Sequence, residues 1–210
     1  MWQINIFVSY SHLDANWTSE SDSFSLIPWL ASSLHRENVN IWFDHALKKL
    51  PGEEYKKKIK SEIDAAHIAI LLISPNFAHS DFISEYDLPL IKERVDAREL
   101  IVIPILAEPT DLTSEAHLRW ICEYQMLPGE ATPLINYLNN TADFLKVRVE
   151  ILQAIRNQLN QLRDYPIYGH ERQYAKANKN PRSTSSILLI SVFLISIVLI
   201  VILMRFILRR

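Results

Sequence analysis

An α/β domain built on a parallel sheet of four to five strands, with helices on both faces and one C-terminal transmembrane helix after it, best accounts for these 210 residues. Three observations lead there. Apolar residues alternate between short continuous runs and a helical period, as strand–helix units of a parallel sheet require. An apolar fraction of 49% against 22% charged residues is that of a globular chain, long enough for one ordinary domain plus extensions. Ile187 to Met204, ILLISVFLISIVLIVILM, holds no polar residue besides Ser191 and Ser196.

The elements follow in order. INIFVSYS, Ile4 to Ser11, is an apolar run bounded by polar residues, the mark of a buried strand. Phe24, Ile27, Leu30 and Leu34 then recur at helical spacing. VNIWFD, Val39 to Asp44, is a second strand, and the loop HALKKLPG leads to a helix with Tyr55, Ile59 and Ile63 on one face. Glu53 and Glu54 open that helix and Lys56 to Lys60 follow, the order the helix dipole favours; the lysines read as a solvated face rather than a phosphate patch. HIAILLIS, His67 to Ser74, is the most apolar of these runs and reads as a central strand. After a further helix, LIVIPILAE, Leu100 to Glu108, is a fourth strand, and RWICEYQML, Arg119 to Leu127, a short fifth. Asp143 to Leu162 returns to helix, with Phe144, Val147, Ile151, Ile155, Leu159 and Leu162 in one stripe.

Residues 1–162 form the domain, 163–186 a polar, proline-broken juxtamembrane linker, and 187–208 the span. At about 1.5 Å per residue Ile187 to Met204 reaches roughly 27 Å, close to a hydrocarbon core, and Leu208 can join it if Arg205 snorkels. No apolar leader opens the sequence, so the expectation is a single-pass tail anchor with the N-terminal domain in the cytoplasm. Arg172, Lys176, Lys179 and Arg182 before the span, against Arg205, Arg209 and Arg210 after it, lean the same way.

Composition also excludes. A net charge of −2 gives no basic field for nucleic acid. A single cysteine, Cys122, rules out an internal disulfide framework, suits a reducing compartment, and reads as a small buried hydrophobe; no metal site is expected. Three glycines are too few for the glycine-rich loops that cradle dinucleotide or nucleotide phosphates.

Several stretches, in order and at the right spacing, resemble the Toll/interleukin-1 receptor (TIR) domains, above all their bacterial branch. IFVSYSHLD, Ile6 to Asp14, is similar to the family's first box, and IWFDHALKKLPGEEY, Ile41 to Tyr55, to its second strand, BB loop and the Pro-Gly opening the next helix. AILLISPNFAHSDFISEYDLPLI, Ala69 to Ile91, resembles its third strand and the helix after it; IVIPILAEPTDL and EYQMLPGEATPLINYL match weaker C-terminal boxes. The resemblance covers about residues 3 to 160. It implies a flavodoxin-like fold with ligand chemistry at the carboxyl ends of the strands. Many bacterial members cleave NAD⁺ between nicotinamide and ribose, while others only build signalling assemblies through the BB loop, so fold alone does not choose.

Two carboxylates bear on that choice. In catalytic TIR domains a glutamate stands on the helix after the third strand, in a pattern near S-x-F/Y-x-x-x-x-E-L/M. Counted from Ser80 and Phe82, that position is Asp87, followed by Leu88 and Pro89, and Glu85 falls two residues early. Two residues on a helix point about 200° apart, so one pocket cannot take both. Aspartate is a methylene shorter than glutamate, and a shift near 1 Å at a reacting centre costs about a hundredfold in rate. The candidate catalytic residues are Asp87, with the local backbone compensating, and Glu85, swinging into the site where Pro89 loosens the helix start. A purely structural alternative has Ser84 as helix N-cap, Glu85 in the first turn and Asp87 closing a near capping box. The same resemblance makes Ser9, Tyr10, Ser11, Asp14, Trp42, Asp44 and Ser74 candidate substrate-binding residues. Trp42 stacks on a base or belongs to the core, Asp44 reaches a ribose or caps the loop, and His12 reads as surface. Ala46, Leu47, Lys48, Lys49, Leu50 and Pro51 form the candidate assembly loop.

The expectation is thus a membrane-anchored signalling or effector protein, plausible in prokaryotic defence or cell death, with NAD⁺ as substrate rather than cofactor. Its partners would be other TIR domains, and membrane lipid through residues 187–208. The alternative is a non-catalytic adaptor that recruits TIR proteins to the membrane. A tail that damages membranes fits less well, since two serines cannot line a pore.

Overall fold

The structure, a computed structural model, describes residues 2–19, 24–44, 52–129 and 132–164. The assembly loop Ala46 to Pro51, the span 187–208 and nearly all of the linker lie outside the described residues. Among the described residues no helix is long and apolar enough to cross a membrane.

Four strands, β1 (Ile4–Ser9), β2 (Val39–Trp42), β3 (Ile68–Ile73) and β4 (Ile101–Leu106), form one parallel sheet in the order β2-β1-β3-β4. The helices are α1 (Ala15–Thr18), α2 (Ile27–Leu34), α3 (Gly52–Ala65), α4 (Pro75–Ala78), α5 (Leu88–Asp96) and α6 (Thr141–Asp164). α6 takes in Arg163 and Asp164, the first two residues of the expected linker, and its first turn is capped by the Asn140 side chain, which accepts from Ala142 N and Asp143 N.

Side chains alternate across the strands and build two cores. Ile4, Ile6, Val8, Ile68, Ile70, Leu72, Ile103 and Ile105 face α2 and the apolar stripe of α6. Phe7, Ala69, Leu71, Ile73 and Val102 face α3 and α5 through Ile59, Ile63, Leu88 and Ile91. Because β3 is buried on both sides at every residue, it reads as an unbroken apolar run. Lys56, Lys57, Lys58 and Lys60 are exposed on α3, and Lys60 pairs with Asp64 at 3.2 Å one turn on, so the lysines are a solvated face.

Two buried arginines tie elements together. Arg94 of α5 donates to the carbonyls of Ile63, Ala66 and Glu99, closing the C-terminal end of α3, which has no basic residue in its last turn. Arg148 of α6 donates to the Ser25 carbonyl and lies 4.9 Å from the ring centroids of both Trp29 and Phe144.

Three expectations are corrected. The fifth strand is absent: Arg119–Glu123 is a 3₁₀ helix, and only Leu127 pairs, in one parallel bridge with Ile105. Its apolar anchors Leu118, Ile121 and Tyr124 pack against the α3–α5 core three residues apart, the period of a 3₁₀ turn rather than of a strand. Cys122 in that turn is exposed, not buried. Ser84 caps no helix, since Ile83–Asp87 is a π turn entered directly from Phe82.

Candidate functional site

In a sheet of order β2-β1-β3-β4 the connection out of β1 goes one way and β3 lies the other way, leaving a crevice at the carboxyl ends of β1 and β3. A cavity of about 490 Å³ occupies that crevice, within the size range of small-molecule sites. Phe7, Trp42, Ile59, Phe82 and Ile83 form its apolar wall, and Tyr10, Ser11, His12, Asp44, Tyr55, Asn76 and Asp87 its polar one. Trp42 is half-buried and stacked on Phe7, with centroids 5.3 Å apart and planes 13° from parallel, so it is both part of the packing and a face of the cavity.

Asp44, just past β2, is the centre of one polar cluster. Tyr55 Oη donates to its Oδ2 at 2.5 Å, and His12 Nε2 bonds the same oxygen. Burial works to raise the Asp44 pKa, but the donors His12, Tyr10 and Tyr55 outweigh it and the net shift is downward. Asp44 is therefore ionised at neutral pH. Burial, and then the Asp44 charge, push the Tyr10 and Tyr55 phenols well above their usual range, so both remain donors. Asp44 Oδ1 is buried without a partner among the described residues.

Asp87 closes the other side. It ends the π turn Ile83–Asp87, in which Leu88 N–H reaches back to the Ile83 carbonyl. Pro89, which has no N–H to lose, follows immediately and eases the return to α register. The turn buries Ile83 and Asp87 together and leaves Glu85 exposed. Ser9 Oγ, at the end of β1, donates to Asp87 Oδ2 at 2.8 Å, and Oδ1 is buried with no partner among the described residues. Burial pushes the Asp87 pKa up to about 7; the Ser9 hydrogen bond opposes that rise, and the Asp44 charge adds to it.

Of the residues singled out from sequence, Tyr10, Ser11, Trp42, Asp44 and Asp87 line the cavity. Ser9 meets it through Asp87. Asp14 and Ser74 form a separate, satisfied cluster: Ser74 Oγ donates to Asp14 Oδ2 at 2.5 Å, Asn76 Nδ2 donates to Asp14 Oδ1 at 2.7 Å, and Ser74 caps α4 through Phe77 N. They fix the loop after β1 to the end of β3, and neither lines the cavity. Glu85 does not line it either. His12 reads as surface in the sequence, yet it lines the cavity and pairs with Asp44, although its side chain is 46% exposed. Tyr55 appears in the sequence only as an apolar position on a helix face; its phenol is what reaches Asp44. A tyrosine among isoleucines on such a stripe is the one signal that could have marked it.

The chain matches the family model described as TIR domain over residues 6–127, more than half its length. It is similar to the uncharacterized protein y4lF of Sinorhizobium fredii (strain NBRC 101917 / NGR234), with 26% identity over 151 residues. That stretch is 71% of this chain and 43% of the relative, so the chain spans less than half the length of that protein. Among solved structures it is similar to the TIR domains of the activated Roq1 resistosome directly recognizing the pathogen effector XopQ. There the identity is 17%, the match covers 72% of this chain and 82% of that one, and the TM-score is 0.38. It is also similar to the TIR domain of the Toll-related receptor TRR-2 from Hydra magnipapillata, at 18% identity, 53% and 74% coverage and a TM-score of 0.33. With that family match lying across the strands and loops that build the cavity, the chain belongs to the TIR domain family.

Proposed function

We propose that this TIR protein cleaves NAD⁺ between nicotinamide and ribose, with Asp87 as the carboxyl group at the reacting ribose and residues 187–208 holding the chain at a membrane, its TIR domain in the cytoplasm. The observation that carries the reading is a pair of buried carboxyl groups, Asp44 and Asp87, lining one cavity, each with an oxygen that has no partner among the described residues. A buried polar atom left unpaired costs about 1–3 kcal/mol, and ribose hydroxyls are donors suited to both. Trp42, Phe82 and Tyr55 supply flat surfaces for the nicotinamide ring.

In the reaction the C1′–N bond breaks and its electron pair leaves with nicotinamide, which departs neutral. Positive charge develops on the ribose, where ionised Asp44 and Asp87 in its carboxylate form oppose it. Water adds at C1′, loses a proton to solvent, and ADP-ribose is released; capture by a nitrogen of the ligand's own adenine instead of water gives a cyclic product. TIR domains commonly assemble with one another, and activity is expected to rise as the domains cluster through Ala46 to Pro51. The test is free nicotinamide released from NAD⁺ by the full chain under crowding, wild type beside Asp87→Ala and Glu85→Ala. Release that is lost in the first variant and kept in the second supports the reading; no release by the clustered wild type overturns it.

A non-catalytic adaptor is the second reading, and one observation favours it. Among the described residues lining the cavity there is no lysine or arginine to hold the ligand's diphosphate. An adaptor keeps its TIR–TIR association in Asp87→Ala and loses it on changes at Lys48 to Pro51.

A further inference from the structure

We propose that Ser9 is a positioning residue for Asp87, not a substrate contact: its hydroxyl holds Asp87 Oδ2 and thereby fixes the orientation of the carboxyl at the cavity wall. The inference deepens the reading above and rests on it for its catalytic consequence. Its geometry stands on residues far apart in the chain. Ser9 ends β1, on the same side of the sheet as Phe7, and is only 1% exposed. Asp87 ends the π turn Ile83–Asp87 and is 5% exposed. The 2.8 Å bond between them spans 78 residues and is the one hydrogen bond to the Asp87 side chain among the described residues. A carboxyl with one oxygen fixed has its plane and rotamer set, as a group poised beside a reacting centre must have. A side chain much larger than serine at position 9 would occupy the space in which that bond is made.

The electrostatics agree. A hydroxyl donating to a carboxyl stabilises its ionised form, and here it opposes the upward push of burial. The other titratable groups near Asp87 are His12 from the loop after β1, Asp44 from the end of β2, Tyr55 of α3, and Tyr86 beside it in the turn. None of these is altered by a change at Ser9.

The test uses the full chain with ¹³C-labelled aspartate carboxyls, the Asp87 signal being identified by its loss in Asp87→Asn. In Ser9→Ala the Asp87 titration midpoint is expected to rise by about one pH unit, the worth of one hydrogen bond to a charged group, and Ser9→Thr to restore it. Nicotinamide release by Ser9→Ala is expected to fall about tenfold in kcat with KM little changed, its pH profile moving the same way. A midpoint within about 0.2 units of wild type in a folded Ser9→Ala chain overturns the proposal. If the alanine variant does not fold, Ser9→Cys, of similar size but a weaker donor, carries the same comparison. Because the titration is read without any substrate, absence of nicotinamide release in the wild type sinks only the catalytic reading, while an unmoved midpoint sinks the role of Ser9.

Discussion

Asp87 holds its proton far more tightly than an ordinary aspartate, and that has a consequence for stability. Burial lifts its pKa from the usual 3.8 to about 7. Between those two values the folded chain binds more protons than the unfolded one, so stability falls as pH climbs through the window, and above about pH 7 the whole penalty is present. Three units correspond to about 4 kcal/mol as an upper limit. Asp87→Asn cannot ionise and keeps an oxygen for the Ser9 hydroxyl. It should therefore exceed wild type by a few kcal/mol at pH 8 and match it near pH 4, as read from urea denaturation midpoints at each pH. Burial and Arg94 lower the pKa of His67, which costs stability as pH falls below 6.5; that term is common to both chains and cancels. Parallel curves for the two chains across the window would mean that Asp87 ionises freely. The position of Asp87 was legible from the family spacing. Its environment was not, because Ser9 bonds it from the end of β1 and the Asp44 charge acts on it from beyond β2, and no local pattern records that.

α5 stops in a Schellman arrangement: Glu99 N–H bonds the Arg94 carbonyl and Arg98 N–H that of Val95, with Arg98 left-handed at φ 58. Left-handed backbone costs a residue with a Cβ about 1 kcal/mol, and glycine is free of it. Arg98 is exposed, so Arg98→Gly should stabilise the chain by about 0.5–1 kcal/mol in thermal or urea unfolding. Arg94 is the opposite case. Its guanidinium reaches three backbone carbonyls at once, whereas the single ammonium of lysine cannot keep that fork. Arg94→Lys should cost about 2 kcal/mol and speed amide exchange in the last turn of α3. The strands and the long helices could be read from apolar period alone, because burial on two faces or along one stripe writes itself into the residue order. The π turn and the 3₁₀ helix could not. Both arise where tertiary packing sets the local period, as at Leu118, Ile121 and Tyr124, and a serine near a helix start looks like a cap whether or not it is one.

At the scale of the whole molecule, the wound sheet gathers the ends of β1, β2 and β3 around one cavity, which is why residues from four separate stretches of sequence meet there. Order of strands is not visible in any one strand; the family resemblance implied a flavodoxin-like sheet with ligand chemistry at the carboxyl ends of its strands, and the crevice between β1 and β3 emerged only from the strand order itself. The apolar stretch 187–208 lies outside the described residues, and its proposed role makes a prediction that a soluble enzyme does not share. Chains held in a bilayer diffuse in two dimensions, so their effective concentration is set by surface density rather than by bulk concentration. If assembly completes the site, the rate of nicotinamide release per chain should climb steeply, more than in proportion, as full-length protein is reconstituted at falling lipid-to-protein ratio with the total protein held constant. Exchanging residues 187–208 for an unrelated apolar span of equal length should leave that dependence intact, because a mere anchor contributes confinement and no specific contact. A rate per chain that stays flat over a tenfold change in density would mean that each domain works alone. A dependence lost on exchanging the span would mean that its own sequence, rather than confinement, brings the domains together.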